Sequence, residues 1–112
     1  MDALASGQGH DAFYTNTAIK NAHEDYVKAA VSRYATSPAI FAWELANGAR
    51  YASALAQSGS CTPARVTAWI SEMPAYIKAL DKNHLVTGGT ERFFNKVGNP
   101  DRSYNGGESV QF

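Results

Sequence analysis

Between Asn16 and Tyr34, in NTAIKNAHEDYVKAAVSRY, apolar or semi-apolar residues fall at 19, 22, 26, 27, 30, 31 and 34. Polar residues take the opposite face, which is the pattern of an amphipathic helix. Asn16 or Thr17 can accept the first free N–H groups as its cap. Thr36-Ser37-Pro38 ends it, because the residue before a proline is held in extended geometry. Ile40 to Ala46 is then a short, mostly apolar run. Such a run predicts a strand covered on both faces in a parallel sheet.

Residues 48–61, GARYASALAQSGSC, are small and polar and read as a long loop. Thr62-Pro63 predicts a helix start, with a capping hydroxyl followed by proline at the first helical position. Val66, Trp69, Ile70, Met73, Ile77 and Leu80 form one apolar stripe behind it. Pro74 lies inside the stripe and predicts a kink near Ile70, whose carbonyl loses its partner. Asp81-Lys82-Asn83 makes a turn, and His84 to Thr87 reads as a second short strand. From Gly88 onward the chain is rich in Gly, Asn and Pro and reads as loop. The order helix, strand, helix, strand is one βαβ crossover preceded by the helix of another, an α/β arrangement. Two strands leave a parallel sheet with unpaired edges, so the pattern reads as a slice of a larger architecture.

Charge and cysteine content narrow the function classes. Of the 112 residues, ten are Lys or Arg and ten are Asp or Glu, so the formal net charge is zero. A neutral chain has no long-range field to gather nucleic acid or an anionic membrane surface, and neither is predicted as a partner. No apolar run is long enough to span a bilayer. The opening MDALASGQGHDAF has neither a basic n-region nor an apolar h-region, so no secretory signal is read in it. Cys61 is the single cysteine, which excludes an internal disulfide and a cysteine-based zinc site. His10, His23 and His84 are scattered without ligand spacing and read as surface or packing residues. No metal and no cofactor are predicted.

Four segments, HDAFYTN, VSRYATSPAIFAWELAN, WISEMPAYIKALDKNHLVT and ERFFN, together resemble the fungal endo-β-1,4-mannanases of glycoside hydrolase family five. The likeness runs from about His10 to Phe112, in order and at plausible spacings. The family fold is a (β/α)8 barrel. The resemblance implies that residues 1–112 are a partial glycoside hydrolase domain holding the third helix, fourth strand, fourth helix and fifth strand. A complete barrel takes about 250 residues. Mannan or mannooligosaccharide as partner and an extracellular location are likewise implied.

In that family the fourth strand ends in Trp-Glu-Leu-x-Asn-Glu-Pro-Arg, and the Glu after Asn is the general acid/base. This chain matches at Trp43, Glu44, Leu45, Asn47 and Arg50, but Gly48 holds the acid/base position and Ala49 the proline position. The family's nucleophile lies on the seventh strand, which the resemblance sets beyond Phe112. Retaining hydrolysis needs two carboxyl groups about 5–5.5 Å apart, so the expectation is a β-mannanase-like segment without catalysis. The alternative is a carbohydrate- or partner-binding pseudoenzyme. By resemblance, Asn47 hydrogen-bonds the sugar's 2-hydroxyl and Arg50 lines the cleft or orients a carboxylate. Glu91 matches the Glu of the family's Gly-Asp-Glu-Gly segment, here Gly89-Thr90-Glu91-Arg92. Tyr51 stands where the family usually has a cysteine, and Cys61 resembles that cysteine's partner. Glu44 shares a strand face with Gly48, and four extended residues at roughly 3.3 Å each would set it about 13 Å deeper. It reads as a paired carboxylate inside the barrel rather than a substitute acid. Trp69 and Tyr76 fall on the helix, away from any cleft, and read as core, while Phe93 and Phe94 stay open between stacking and packing.

Overall fold

A computed structural model of the chain describes residues 7–49, 58–59 and 62–89. Within them, helices α1 (Ala12–Thr15) and α2 (Thr17–Tyr34) lead to strand β1 (Ala42–Glu44), then helix α3 (Pro63–Leu80) and strand β2 (Leu85–Thr87). No helix among the described residues is long and apolar enough to cross a membrane.

The helix predicted from Asn16 to Tyr34 is present as α2. The Asn16 side-chain oxygen accepts from the backbone N–H groups of Ala18 and Ile19 at 2.9 and 3.2 Å, which fixes the first turn. Ile19, Val27 and Val31 of the stripe are buried, whereas Tyr26 is 71% exposed. The short α1 carries no periodic signal of its own. It exists because the Asn16 N–H closes it onto the Ala12 carbonyl at 2.8 Å.

α3 begins at Pro63, as the sequence predicts, but the Thr62 side chain makes no capping hydrogen bond. The start is therefore set by the proline, whose fixed φ suits the first helical position. α3 also continues through Pro74 to Leu80. A mid-helix proline costs about 3 kcal/mol. Val66 and Trp69 before it and Met73 and Ile77 around it are all buried, and burying side chains of that size returns about 1.5–3 kcal/mol each. Burial on both sides of the proline keeps the helix whole.

β1 and β2 pair in parallel, with Ala42 opposite Leu85, Trp43 opposite Val86 and Glu44 opposite Thr87. Both strands are shorter than the runs 40–46 and 84–87 suggested. Trp43, Leu45 and Val86 turn to the helices and join a core of Tyr14, Val27, Val31, Val66, Trp69, Met73 and Ile77. Phe13, Tyr14, His23 and Trp69 interlock at ring-centroid distances of 5.2 to 5.9 Å, and burial lowers the pKa of His23 against the opposing pull of Glu24. Tyr76 joins the edge of this core, as expected, and its hydroxyl donates to the Glu24 carbonyl at 3.1 Å. Lys20 and Glu72, 2.6 Å apart, tie α2 to α3 at the surface.

Asp81 ends α3 and is 1% exposed. Its carboxylate accepts from Trp43 Nε1 at 2.7 Å, from the Asn83 N–H at 2.8 Å and from the His84 N–H at 3.2 Å, and His84 Nδ1 lies 2.6 Å away. Burial alone would raise its pKa. The bonds from Trp43, from the His84 ring and from the two backbone N–H groups override that and hold the carboxyl well below the usual carboxylate range.

Two outcomes follow from this architecture. The opposite sheet face carries Ala42, Glu44, Leu85 and Thr87 beside Phe41, and Phe41 and Leu85 are 81% and 59% exposed. A polypeptide of these residues is expected to self-associate at micromolar concentration; light scattering that finds a monomer with a sharp cooperative melt would contradict this. Asp81, with its depressed folded-state pKa, contributes stability that is complete above about pH 5, begins to fade below about 4, the unfolded carboxyl's range, and is lost progressively as pH falls toward its own depressed pKa. Near-ultraviolet circular dichroism should show Asp81→Asn to be less stable at neutral pH and less sensitive to acid than the parent chain.

Candidate functional site

The carboxyl end of β1 converges on the carboxyl end of β2. Past the strands, the Leu45 N–H donates to the Thr87 carbonyl at 2.9 Å and the Gly48 N–H to the Gly89 carbonyl at 2.8 Å. The pairing thus extends beyond both strands and sets residues 47–49 beside 88–89. Asn47 is exposed at this end, while Leu45 and Ala49 are buried. The chain bends at Leu45 and turns at Asn47-Gly48.

Gly48 has φ 68° and Gly89 φ 65°, both in the left-handed region that favours glycine. At Gly89 the constraint is also steric. A Cβ there would strike the Ala46 carbonyl oxygen and lie 2.7 Å from Glu44 Cδ. Glycine at 89 is therefore required by both backbone geometry and space. Arg92 lies outside the described residues.

The contact corrects the depth assigned to Glu44. An extended count from 44 to 48 overstates the separation, because the strand ends at Glu44 and the chain turns over above it. The Glu44 side chain reaches the Gly89 backbone, whose carbonyl holds the Gly48 N–H. Glu44 is exposed and has no ion-pair partner among the described residues, so the expected pairing is absent from this part of the chain.

Of the predicted site residues, Asn47 and Gly48 stand together at the strand end. Arg50 and Glu91 lie outside the described residues, as do Tyr51, Cys61, Phe93 and Phe94. Sequence reading missed Asp11, which is 1% exposed. Its carboxylate accepts from the Ser58 N–H and hydroxyl at 2.6 and 2.7 Å, with Arg65 Nη1 at 3.9 Å. It anchors part of the long segment after β1 to the start of the described chain. Only its place in HDAFYTN hinted at a role, since an acidic residue in a polar stretch ordinarily reads as surface.

The family model described as GH family 5 beta-mannosidase-like matches residues 6–103. The chain belongs to that family. It is 50% identical over 111 residues to a protein of Aspergillus terreus named probable mannan endo-1,4-beta-mannosidase C, covering 95% of this chain and 27% of that protein. It is 48% identical over 96 residues to mannan endo-1,4-beta-mannosidase A of Aspergillus aculeatus, covering 83% of this chain and 24% of that one. Among solved structures, the endo-1,4-beta-mannanase of Rhizomucor miehei aligns with a TM-score of 0.84 at 38% identity, over 100% of this chain and 35% of its own. The chain therefore spans about a quarter of the length of these Aspergillus relatives.

The close approach at Gly89 generates a test. Gly89→Ala should destabilise the fold by more than the ~1–2 kcal/mol that a left-handed conformation asks of a side chain, because Ala46 must also move. Gly59, which has open space around it, is the control. Urea unfolding of Gly89→Ala and Gly59→Ala checks this, and equal midpoints would count against the assigned geometry.

Proposed function

We propose that the chain is a segment of a β-mannan-cleaving (β/α)8 barrel, with α2, β1, α3 and β2 as its third helix, fourth strand, fourth helix and fifth strand. In this reading Gly48 occupies the position of the general acid/base, and the segment is inactive for lack of that carboxyl. Asn47 is assigned to the sugar's 2-hydroxyl, Arg50 to the cleft wall or to carboxylate orientation, and Glu91 to the cleft beside the fifth strand. The substrate class is β-1,4-mannan or mannooligosaccharide, and the location is extracellular. The observation that carries the reading is the convergence of Asn47-Gly48 with Gly89 at the carboxyl ends of two parallel strands, where barrel enzymes keep their chemistry.

The backbone connects the two departures from the family pattern. A residue before proline is confined to extended geometry, so proline at 49 would exclude the φ of 68° that Gly48 adopts. With alanine at 49 that restriction is gone, and only glycine enters the left-handed region without strain. A single Gly48→Glu change therefore places a side chain on an unsuitable backbone, whereas the pair Gly48→Glu and Ala49→Pro returns residue 48 to the extended region. Within this proposal, restoring the acid requires both changes.

Chimeras test it. With this segment replacing its counterpart in a complete, active mannanase, reducing-sugar release from mannan should fall by at least the ~10²–10⁴ that acid–base assistance supplies. The chimera carrying Gly48→Glu and Ala49→Pro should recover part of the loss, and the one carrying Gly48→Glu alone should recover less. Circular dichroism verifies folding. Equal activity in folded chimeras with and without the paired change would sink the assignment of Gly48. Titration of the unaltered chimera with mannohexaose tests the binding-only alternative, which requires retained affinity without turnover.

A further inference from the structure

His84 is 9% exposed, and each of its ring nitrogens faces an oxygen acceptor. Nδ1 is 2.6 Å from Asp81 Oδ2, and Nε2 is 3.0 Å from the Ser37 carbonyl oxygen. A carbonyl cannot donate, so the second contact needs a proton on Nε2. The Asp81 carboxyl already accepts from Trp43 and two backbone N–H groups and is ionised, so the first contact needs a proton on Nδ1. A neutral imidazole carries one N–H and can make only one of these bonds.

We propose that His84 is a proton-operated clasp between the α3–β2 turn and the segment 35–41 that leads into β1. With two ring protons the clasp is closed. With one, Nδ1–H stays on the charged acceptor Asp81, and the bare Nε2 lone pair opposes the Ser37 carbonyl. Segment 35–41 then loses a tether to the turn and keeps the 2.9 Å bond from Asn83 Nδ2 to the Ala35 carbonyl and the 3.4 Å bond from the Leu85 N–H, at the start of β2, to the Phe41 carbonyl.

The surrounding charges are few. Asp81 attracts the ring's positive charge. Lys78 of α3 opposes it, with Nζ at 2.8 Å from the His84 carbonyl and 3.0 Å from that of Lys82. Lys82 in the same turn is exposed. From β1 the ring meets the Trp43 indole, edge-on at a centroid distance of 6.4 Å. Segment 35–41 has no ionisable side chain in this range, and Arg33 at the end of α2 lies over the Tyr34 ring. Asp81 is thus the single carboxylate that the described residues bring to the ring.

Nuclear magnetic resonance tests the clasp by following the His84 ring nitrogens and the backbone amides of 37–41 from about pH 5 to pH 9, the span of histidine titration. The Ile40 amide is the most direct reporter, since it donates to the same Ser37 carbonyl at 3.3 Å. At the acid end both ring nitrogens should be protonated. The Ile40 and Ser37 amides should then shift in one transition that shares the ring's midpoint. In His84→Asn that transition should vanish. Amides that stay fixed while the ring loses its proton, or that move at another midpoint, overturn the proposal. A ring with one proton at the acid end also overturns it. Should His84→Asn fail to fold, the paired curves of the parent chain decide alone.

Discussion

One buried carboxylate ties together three pieces of the chain: the end of α3, strand β1, and the segment that leads into β1. Asp81 sits where α3 ends, and a helix end leaves backbone groups without partners. Its carboxylate takes the two N–H groups of the following turn, which aims the chain from α3 into β2. The same carboxylate takes the Trp43 indole from the neighbouring strand, fixing the height of β1 against β2. Through His84 it reaches Ser37, so the segment between α2 and β1 is drawn to the same point. An ionised group that is 1% exposed is tolerable only when its lone pairs are filled. Here four donors fill them, one from β1 and three from the turn after α3, so the positions of strand and turn depend on each other.

The helical half of this fold was legible because its signals are local and redundant. The stripes at 19, 27, 31 and at 66, 69, 73, 77 each repeat over more than three turns, and Asn16 caps the first of them as its residue type suggests. The strands were legible in order and direction but not in length. An apolar run such as Ile40 to Ala46 does not say where pairing stops, and here it stops where the chain bends at Leu45. The polar contacts were the least legible part. Asp11 and Asp81 read as turn or surface acids, yet both are buried, because their partners Ser58 and Trp43 lie 47 and 38 residues away in sequence. No periodicity encodes such a distance.

At the candidate site the sequence placed Asn47 and Gly48 correctly at a strand end, since that needs only the strand and its direction. It misjudged Glu44, because counting an extended chain cannot anticipate the turn at 47–48. Positive φ at Gly48 was equally out of reach, since a glycine permits that conformation without announcing it. Gly89 differs. Its φ and the Ala46 carbonyl beside it make glycine obligatory, so the residue type carries information there that it does not carry at Gly48.

This difference separates the framework of the strand ends from their chemistry. The Gly48 N–H to Gly89 carbonyl bond uses only backbone atoms, so it tolerates loss of any side chain at 48. The Asp81 contacts lie at the opposite end of the strands and depend on no residue between 47 and 49. A chain can therefore keep the β1–β2 geometry, the core around Trp69 and the buried carboxylate while a glycine stands at the proposed acid/base position. Stability in barrels concentrates at the end where strands begin and chemistry at the end where they finish. Among the described residues those ends are joined by the two three-residue strands and by α3, which runs back from one end to the other. On the proposed reading, that separation is the physical reason a chain of this family can lose its proton donor and still specify its fold.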